Sequence, residues 1–196
     1  MRMNRKMTTP DSPVPSTSGI AVMDLLHVLA EMVGQAKIER AKGRLSPAQR
    51  QTIDALTAVS WLPNTTLALF VDELARCVQR DAEAMIDEAV RAAVDRTFKT
   101  VWRMFLRVTS DEALIKRTPI IYQRSRNIGQ LSARILEPGN AEALLTQWPD
   151  VPDRHLRTIG VSIARVMELA GRRDVRMTAH RTPDGGRYQL RWRSSG

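Results

Sequence analysis

Residues 174–192 read DVRMTAHRTPDGGRYQLRW. Val175, Met177 and Ala179 alternate with Arg176, Thr178 and His180. Tyr188, Leu190 and Trp192 alternate with Arg187, Gln189, Arg191 and Arg193. A period of two is that of a half-buried strand, whose side chains point alternately to core and solvent. Between the two runs stands Pro183-Asp184-Gly185-Gly186, a turn sequence. The stretch therefore predicts a β-hairpin with an aromatic inner face and an arginine-rich outer one.

The chain upstream supplies the rest of the sheet. In QLSARILE, residues 130–137, Leu131, Ala133 and Ile135 face one way, and Ser132 and Arg134 the other. Pro138-Gly139-Asn140 marks a turn. Residues 142–148, EALLTQW, then pair back as a second strand, with a short helix as the competing reading. Residues 153–170 intervene before the hairpin. Leu156, Ile159, Ile163, Val166 and Ala170 form a helical stripe there, with Asp153 as its cap and Gly171 as its stop. His155 falls in the first turn, where exposure is expected.

The first two-thirds read as helices. Ile20, Met23, Leu26, Leu29 and Val33 give an amphipathic run over 20–41, with His27 packed or at its boundary and Gly43 as a stop. Ser46-Pro47 starts the next helix, because serine accepts from first-turn amides and proline sacrifices an amide that has no partner there. Ile53, Leu56 and Val59 give its face. A third helix begins at Asn64 or Thr65, with Cys77 beside its buried stripe. Residues 81–108 form the longest pattern, a central helix that Phe98, Trp102 and Phe105 broaden. Thr109-Ser110-Asp111-Glu112 restarts a helix that Pro119 interrupts.

Composition bounds what such a fold can do. The 196 residues carry 43% hydrophobic side chains, enough for a core, and a net charge of +9. One cysteine excludes a disulfide framework and a cysteine-rich zinc site. No window approaches the roughly 18 apolar residues of a spanning helix. The basic start at Arg2, Arg5 and Lys6 leads into TTPDSPVPSTSG, not an apolar signal segment. Residues 1–19 thus read as a disordered leader, residues 20–196 as one domain, and the cytoplasm as the compartment. Of 30 basic residues 25 are arginine, a usage that a GC-rich coding bias explains as readily as a polyanionic partner.

Three sets of residues could carry chemistry. Catalytic and metal signatures are missing: the histidines stand at 27, 155 and 180, with no nucleophile, zinc or phosphate-loop motif around them. Asp87-Glu88 reads as a solvated face. No cofactor is expected, and the chain reads as a non-enzyme. Phe98, Trp102, Phe105, Tyr188 and Trp192 are large enough to line an apolar crevice between the helical layer and the sheet, although packed core gives the same pattern. On the outer face, Arg176, His180, Arg187, Arg191 and Arg193 could hold phosphates or an acidic partner, including nucleic acid. A solvated edge sheet accounts for the same arginines. A further basic run, Lys116, Arg117, Arg124, Arg126 and Arg134, reads as solvated.

Taken in order, WRMFLRVTSDEALIKRTPIIYQ at 102–123, a short strand pair, a helix ending in ELAG and the terminal hairpin resemble a myxobacteria-enriched family of small cytoplasmic proteins. More distantly, this organisation is similar to vinyl-reductase-like domains, haem–nitric-oxide-binding domains and small subunits of vesicle transport-particle (TRAPP) complexes. The resemblance covers about residues 45–193 and implies a ligand-binding or assembly module. It does not bring haem with it. Residues 81–154 hold no histidine, and YQRSR at 122–126 departs from the Tyr-x-Ser-x-Arg propionate motif. Cysteines near the terminal hairpin, frequent in vinyl-reductase-like relatives, are missing too.

The resulting expectation is an α+β fold. A layer of about five helices packs on a four-stranded, mainly antiparallel sheet, with a helix between its second and third strands. The expected function is a sensing or adaptor module that binds a small apolar ligand or a protein partner in signalling, with a homodimer possible. The alternative is a polyanion-binding protein that uses the hairpin arginines.

Overall fold

The computed structural model describes residues 14–98 and 106–193. The four-stranded sheet is formed by β3 (Gln130–Glu137), β4 (Asn140–Thr146), β5 (Arg173–Thr182) and β6 (Gly185–Arg193), in the order β3-β4-β6-β5, antiparallel throughout. A helix, Asp153–Leu169, crosses between the second and third strands, as the sequence predicts. Thr182 pairs with Gly185, so the hairpin turns on Pro183-Asp184. Tyr188, Leu190 and Trp192 are buried on one face, and Arg187, Gln189, Arg191 and Arg193 are exposed on the other. Tyr188 lies opposite Ala143 on β4 and Ala179 on β5, and two small neighbours give its ring room to lie inward.

The helices α1 (Gly19–Val33), α2 (Gln35–Lys42), α3 (Pro47–Asp54), α4 (Asn64–Val78) and α5 (Ala82–Thr97) gather around a first apolar core. Helices α6 (Asp111–Ser125) and α7 (Asp153–Leu169) pack with the inner sheet face around a second. Capping follows the sequence signals closely. Ser46 and Gln49 form a reciprocal capping box ahead of Pro47. Asp81 accepts from the Ala84 amide at 2.7 Å, and Ser110 from that of Ala113 at 3.3 Å. Among the described residues no single helix is long and apolar enough to cross a membrane.

Several expectations need correction. Residues 16–18 belong to the fold: β1 (Ser16–Ser18) pairs antiparallel with β2 (Trp61–Pro63) and is buried. The helix expected over 20–41 bends by 118° at Gly34, whose φ of +86° favours glycine. Val59 lies beyond α3 and is 89% exposed. The single helix expected over 81–108 ends at Thr97, because Phe98 leaves the helical region at φ −98°, ψ 65°. Val108, placed in the core stripe, is exposed. Pro119 sits inside α6 and does not end it. At α7 the cap position belongs to Pro152, and Asp153 is the first helical residue. His27 is exposed and pairs with Glu31 at 3.0 Å, whereas His155 is buried.

Candidate ligand site

The crevice residues divide into three groups. Tyr188 and Trp192 are buried in the sheet-side core, and Phe98 packs against that core from the end of α5. Trp102 and Phe105 lie outside the described residues. The Trp192 indole N–H donates to Asp111 Oδ2 at 3.0 Å, which ties the last strand to the first turn of α6. Helix α7 meets the sheet at Gly160. A Cβ there would stand 3.3 Å from Met177 Cγ and 3.5 Å from the Tyr188 ring, so the bare backbone permits the contact. These contacts explain why Tyr188 and Trp192 are packed.

Within this apolar surrounding the fold buries polar atoms. Tyr188 is 0% exposed, and its phenol oxygen has no hydrogen-bond partner among the described residues. The same holds for Nδ1 of His155 and for Nε of Arg126. His155 stands on the first turn of α7 with its ring tilted 57° to that of Trp148, centroids 5.6 Å apart. Arg126 follows α6, where its backbone bridges Thr17 of β1 and one guanidinium nitrogen donates to the Ser125 carbonyl at 3.0 Å. Beside it, the Tyr122 hydroxyl donates to the Ile128 carbonyl at 2.6 Å.

The electrostatics follow from burial. Loss of water, then the positive charges of Arg126 and Arg154, depress the His155 pKa to about 4, so the imidazole is neutral at pH 7. Burial lifts the Tyr122 phenol to about 12 and that of Tyr188 still higher, while Arg126 pulls both the other way. Burial also lowers the Arg126 pKa, but a guanidinium keeps its proton. These residues supply a neutral imidazole, a protonated phenol and the half-buried cation of Arg126.

Sequence reasoning missed two of these three residues. The sequence reading places His155 in an exposed first helical turn, whereas it is buried. Arg126 was read within a solvated basic run that the structure disperses: Lys116 pairs with Glu112, and Arg134 reaches Glu142 on the outer sheet face. No local signal marked Arg126, which lies past the end of the helix in an extended conformation (φ −136°, ψ 140°).

The outer-face arginines are where alternation places them. Arg176 stands opposite Arg191, and His180 opposite Arg187. Arg187 reaches Glu142 at 3.3 Å and Arg193 reaches Asp174 at 3.3 Å. Arg134 also binds Glu142, at 2.9 Å, beside a shallow depression that includes Ser132 and Leu144. Asp87 and Glu88 pair with Arg157 and Arg80. Among the described residues no group of three or more His, Cys, Asp or Glu could hold a metal ion.

Fold and site together define an α+β protein with a helical layer over an antiparallel sheet and a small polar set inside the sheet-side core. Solved structures of the same fold are H-NOX domains. The Fe(II)NO form of an H-NOX protein from S. oneidensis superposes with a TM-score of 0.66 at 9% identity, covering 90% of this chain and 99% of that one. The unliganded Fe(II) H-NOX protein from K. algicida gives 0.63 at 9% identity, covering 91% and 97%. An oxygen-binding H-NOX domain related to soluble guanylate cyclases gives 0.60 at 10% identity, covering 89% and 94%. No family model and no curated protein matches the chain. The relation to haem–nitric-oxide-binding domains is therefore one of fold.

Proposed function

We propose that this chain is a non-enzymatic sensing module that takes up a small, largely apolar ligand in its sheet-side core. The reading is carried by one observation: within or beside an apolar core, Arg126, His155 and Tyr188 each keep a buried polar atom without a partner among the described residues. Buried polar groups are almost always satisfied, and a few convergent ones in an apolar setting typify ligand sites. The shared fold supports the reading, since the similar structures are described as ligand-binding domains.

Haem does not fit the described residues. His27 and His180 face solvent, and the core-facing positions of α6 are Leu114, Ile115 and Tyr122. His155 is neutral, but Trp148 flanks its ring and Arg126 and Arg154 set positive charge around it. Tyr122 and Tyr188 are held protonated, and α7 is closed onto the sheet at Gly160. The ligand expected here is a small organic molecule.

Native mass spectrometry on freshly purified full-length chain, before any denaturing step, tests this. A mass excess released on collision is expected. A bare polypeptide mass at every collision energy contradicts the reading.

A second reading is polyanion binding on the outer sheet face, favoured by the direct opposition of Arg176 and Arg191. Neither forms an ion pair among the described residues, and adjacent like charges are unfavourable without an anion. Affinity for heparin is then expected to fall steeply with salt and to vanish when Arg187, Arg191 and Arg193 are all replaced by alanine. Unchanged binding by that variant removes this reading.

A further inference from the structure

We infer that the outward face of the β5–β6 hairpin is a docking surface for double-stranded DNA, held through its phosphates. The inference rests on the polyanion reading above and names the partner.

The register concentrates positive charge at one end of the hairpin. Arg173 stands opposite Arg193, and Arg176 opposite Arg191. A regular ladder would set Asp174 against Arg193. The bulge between Arg173 and Arg176, where Asp174 takes a φ of +53°, sets Arg173 there instead. All four arginines are exposed. Arg193 has Asp174 at 3.3 Å, whereas Arg173, Arg176 and Arg191 form no ion pair among the described residues. Two successive pairs of opposed like charges destabilise a hairpin unless an anion lies over them.

The next row is neutral, Gln189 opposite Thr178, and the row beyond it is Arg187 opposite His180. Arg191 and Arg187 are thus about 13 Å apart along the strand, close to the roughly 12 Å width of the B-DNA major groove. The arginine quartet can lie on the phosphates of one strand while Arg187 reaches those of the other. Gln189 and Thr178 offer hydrogen bonds between them. The acids nearby leave this charge pattern in place. Asp174 serves Arg193 alone, and Glu142 is buried and taken by Arg134 and Arg187.

Other polyanions match this face less well. Proteins that hold a single strand stack its bases on aromatic side chains, and the hairpin turns Tyr188 and Trp192 inward. An RNA duplex has a narrow, deep major groove of different phosphate spacing. A bilayer rewards an apolar wedge, and no outward residue of the hairpin is apolar. A DNA duplex presents its phosphates to the outside and needs no base contact to be held.

The test is fluorescence anisotropy with the full chain and a labelled DNA duplex of about 20 base pairs, from about 50 to 200 mM sodium chloride. The same sequence as a DNA single strand and as an RNA duplex serves for comparison. The DNA duplex is expected to bind roughly tenfold tighter than either, with a log–log salt slope of about −4 from the five hairpin arginines. Arg173→Ala/Arg176→Ala, on the exposed edge strand, should weaken binding roughly tenfold or more and flatten the slope by about 2. Arg117→Ala/Arg124→Ala, exposed on α6, should change neither. Equal affinity for the single strand or the RNA duplex, or an unchanged slope in the hairpin variant, overturns the assignment. Binding of heparin or of phosphatidylserine vesicles without binding of the DNA duplex leaves the polyanion reading standing and removes this partner. Binding of none of them removes both. The comparison of duplex and single strand uses the wild type, so a variant that fails to fold leaves the test intact.

Discussion

His155 shows how one side chain can carry a pH signature. Its pKa is about 4 in the folded chain and near 6.5 when unfolded. Between those values the unfolded chain binds a proton that the folded one refuses. Stability therefore rises with pH through this window, and the penalty is absent above about pH 7 and full below about pH 4. Replacing His155 by leucine removes it. Denaturant melts should show the stability advantage of His155→Leu over wild type growing by up to about 3 kcal/mol from pH 7 to pH 4. A difference that stays constant would mean that the ring is solvated. The sequence did not reveal this burial, because Arg154 and Arg157 flank His155 and suggest solvent. Those arginines instead reach across to carboxylates of two other helices, α4 and α5. At Tyr188 the opposite holds: strict alternation through β6 assigned its direction correctly.

Among the elements, the strands and helix starts were the most legible. Ser46-Pro47, Asp81 and Ser110 all act as the caps their chemistry suggests. Breaks were less legible. Gly34 looks like an ordinary helical residue until its positive φ turns α1 away from α2, and the apolar period continues through Phe98 although the helix does not. Proline misled in the other direction. Pro119 lacks the amide that would bond the Ile115 carbonyl, yet α6 continues, with Thr118 Oγ1 donating to the Leu114 carbonyl at 3.2 Å. Helix α6 thus continues despite a local cost. Pro119→Ala should raise stability by about 1–2 kcal/mol in a denaturant melt, since it restores a bond and relieves a clash. A loss of stability would show that the packing of Tyr122 needs the proline.

At the scale of the whole molecule, two apolar cores meet along a charged seam. Arg165 holds both oxygens of Asp95 at 2.7 and 2.8 Å, Arg154 binds Asp72 at 2.7 Å, and Arg91 reaches Glu168 at 3.0 Å. Periodicity marks these residues as a solvated face and cannot say that two such faces oppose each other. Partly exposed ion pairs are screened by salt. Raising sodium chloride from 0.1 to 1 M should therefore stabilise the wild type less, or destabilise it more, than Arg154→Met/Arg165→Met, by about 1 kcal/mol. Equal responses would mean that the seam adds little. The polar set of Arg126, His155 and Tyr188 lies on the sheet side of this seam, assembled from α6, α7 and β6, and no local stretch of sequence contains it. The central claim is that this set holds a ligand. Its most direct test is a crystal structure of the chain purified without denaturation, at a resolution that distinguishes water from a small organic molecule. Density for a small organic molecule in contact with Arg126, His155 or Tyr188 is expected. Ordered water alone, or side chains closed over the site, would contradict it.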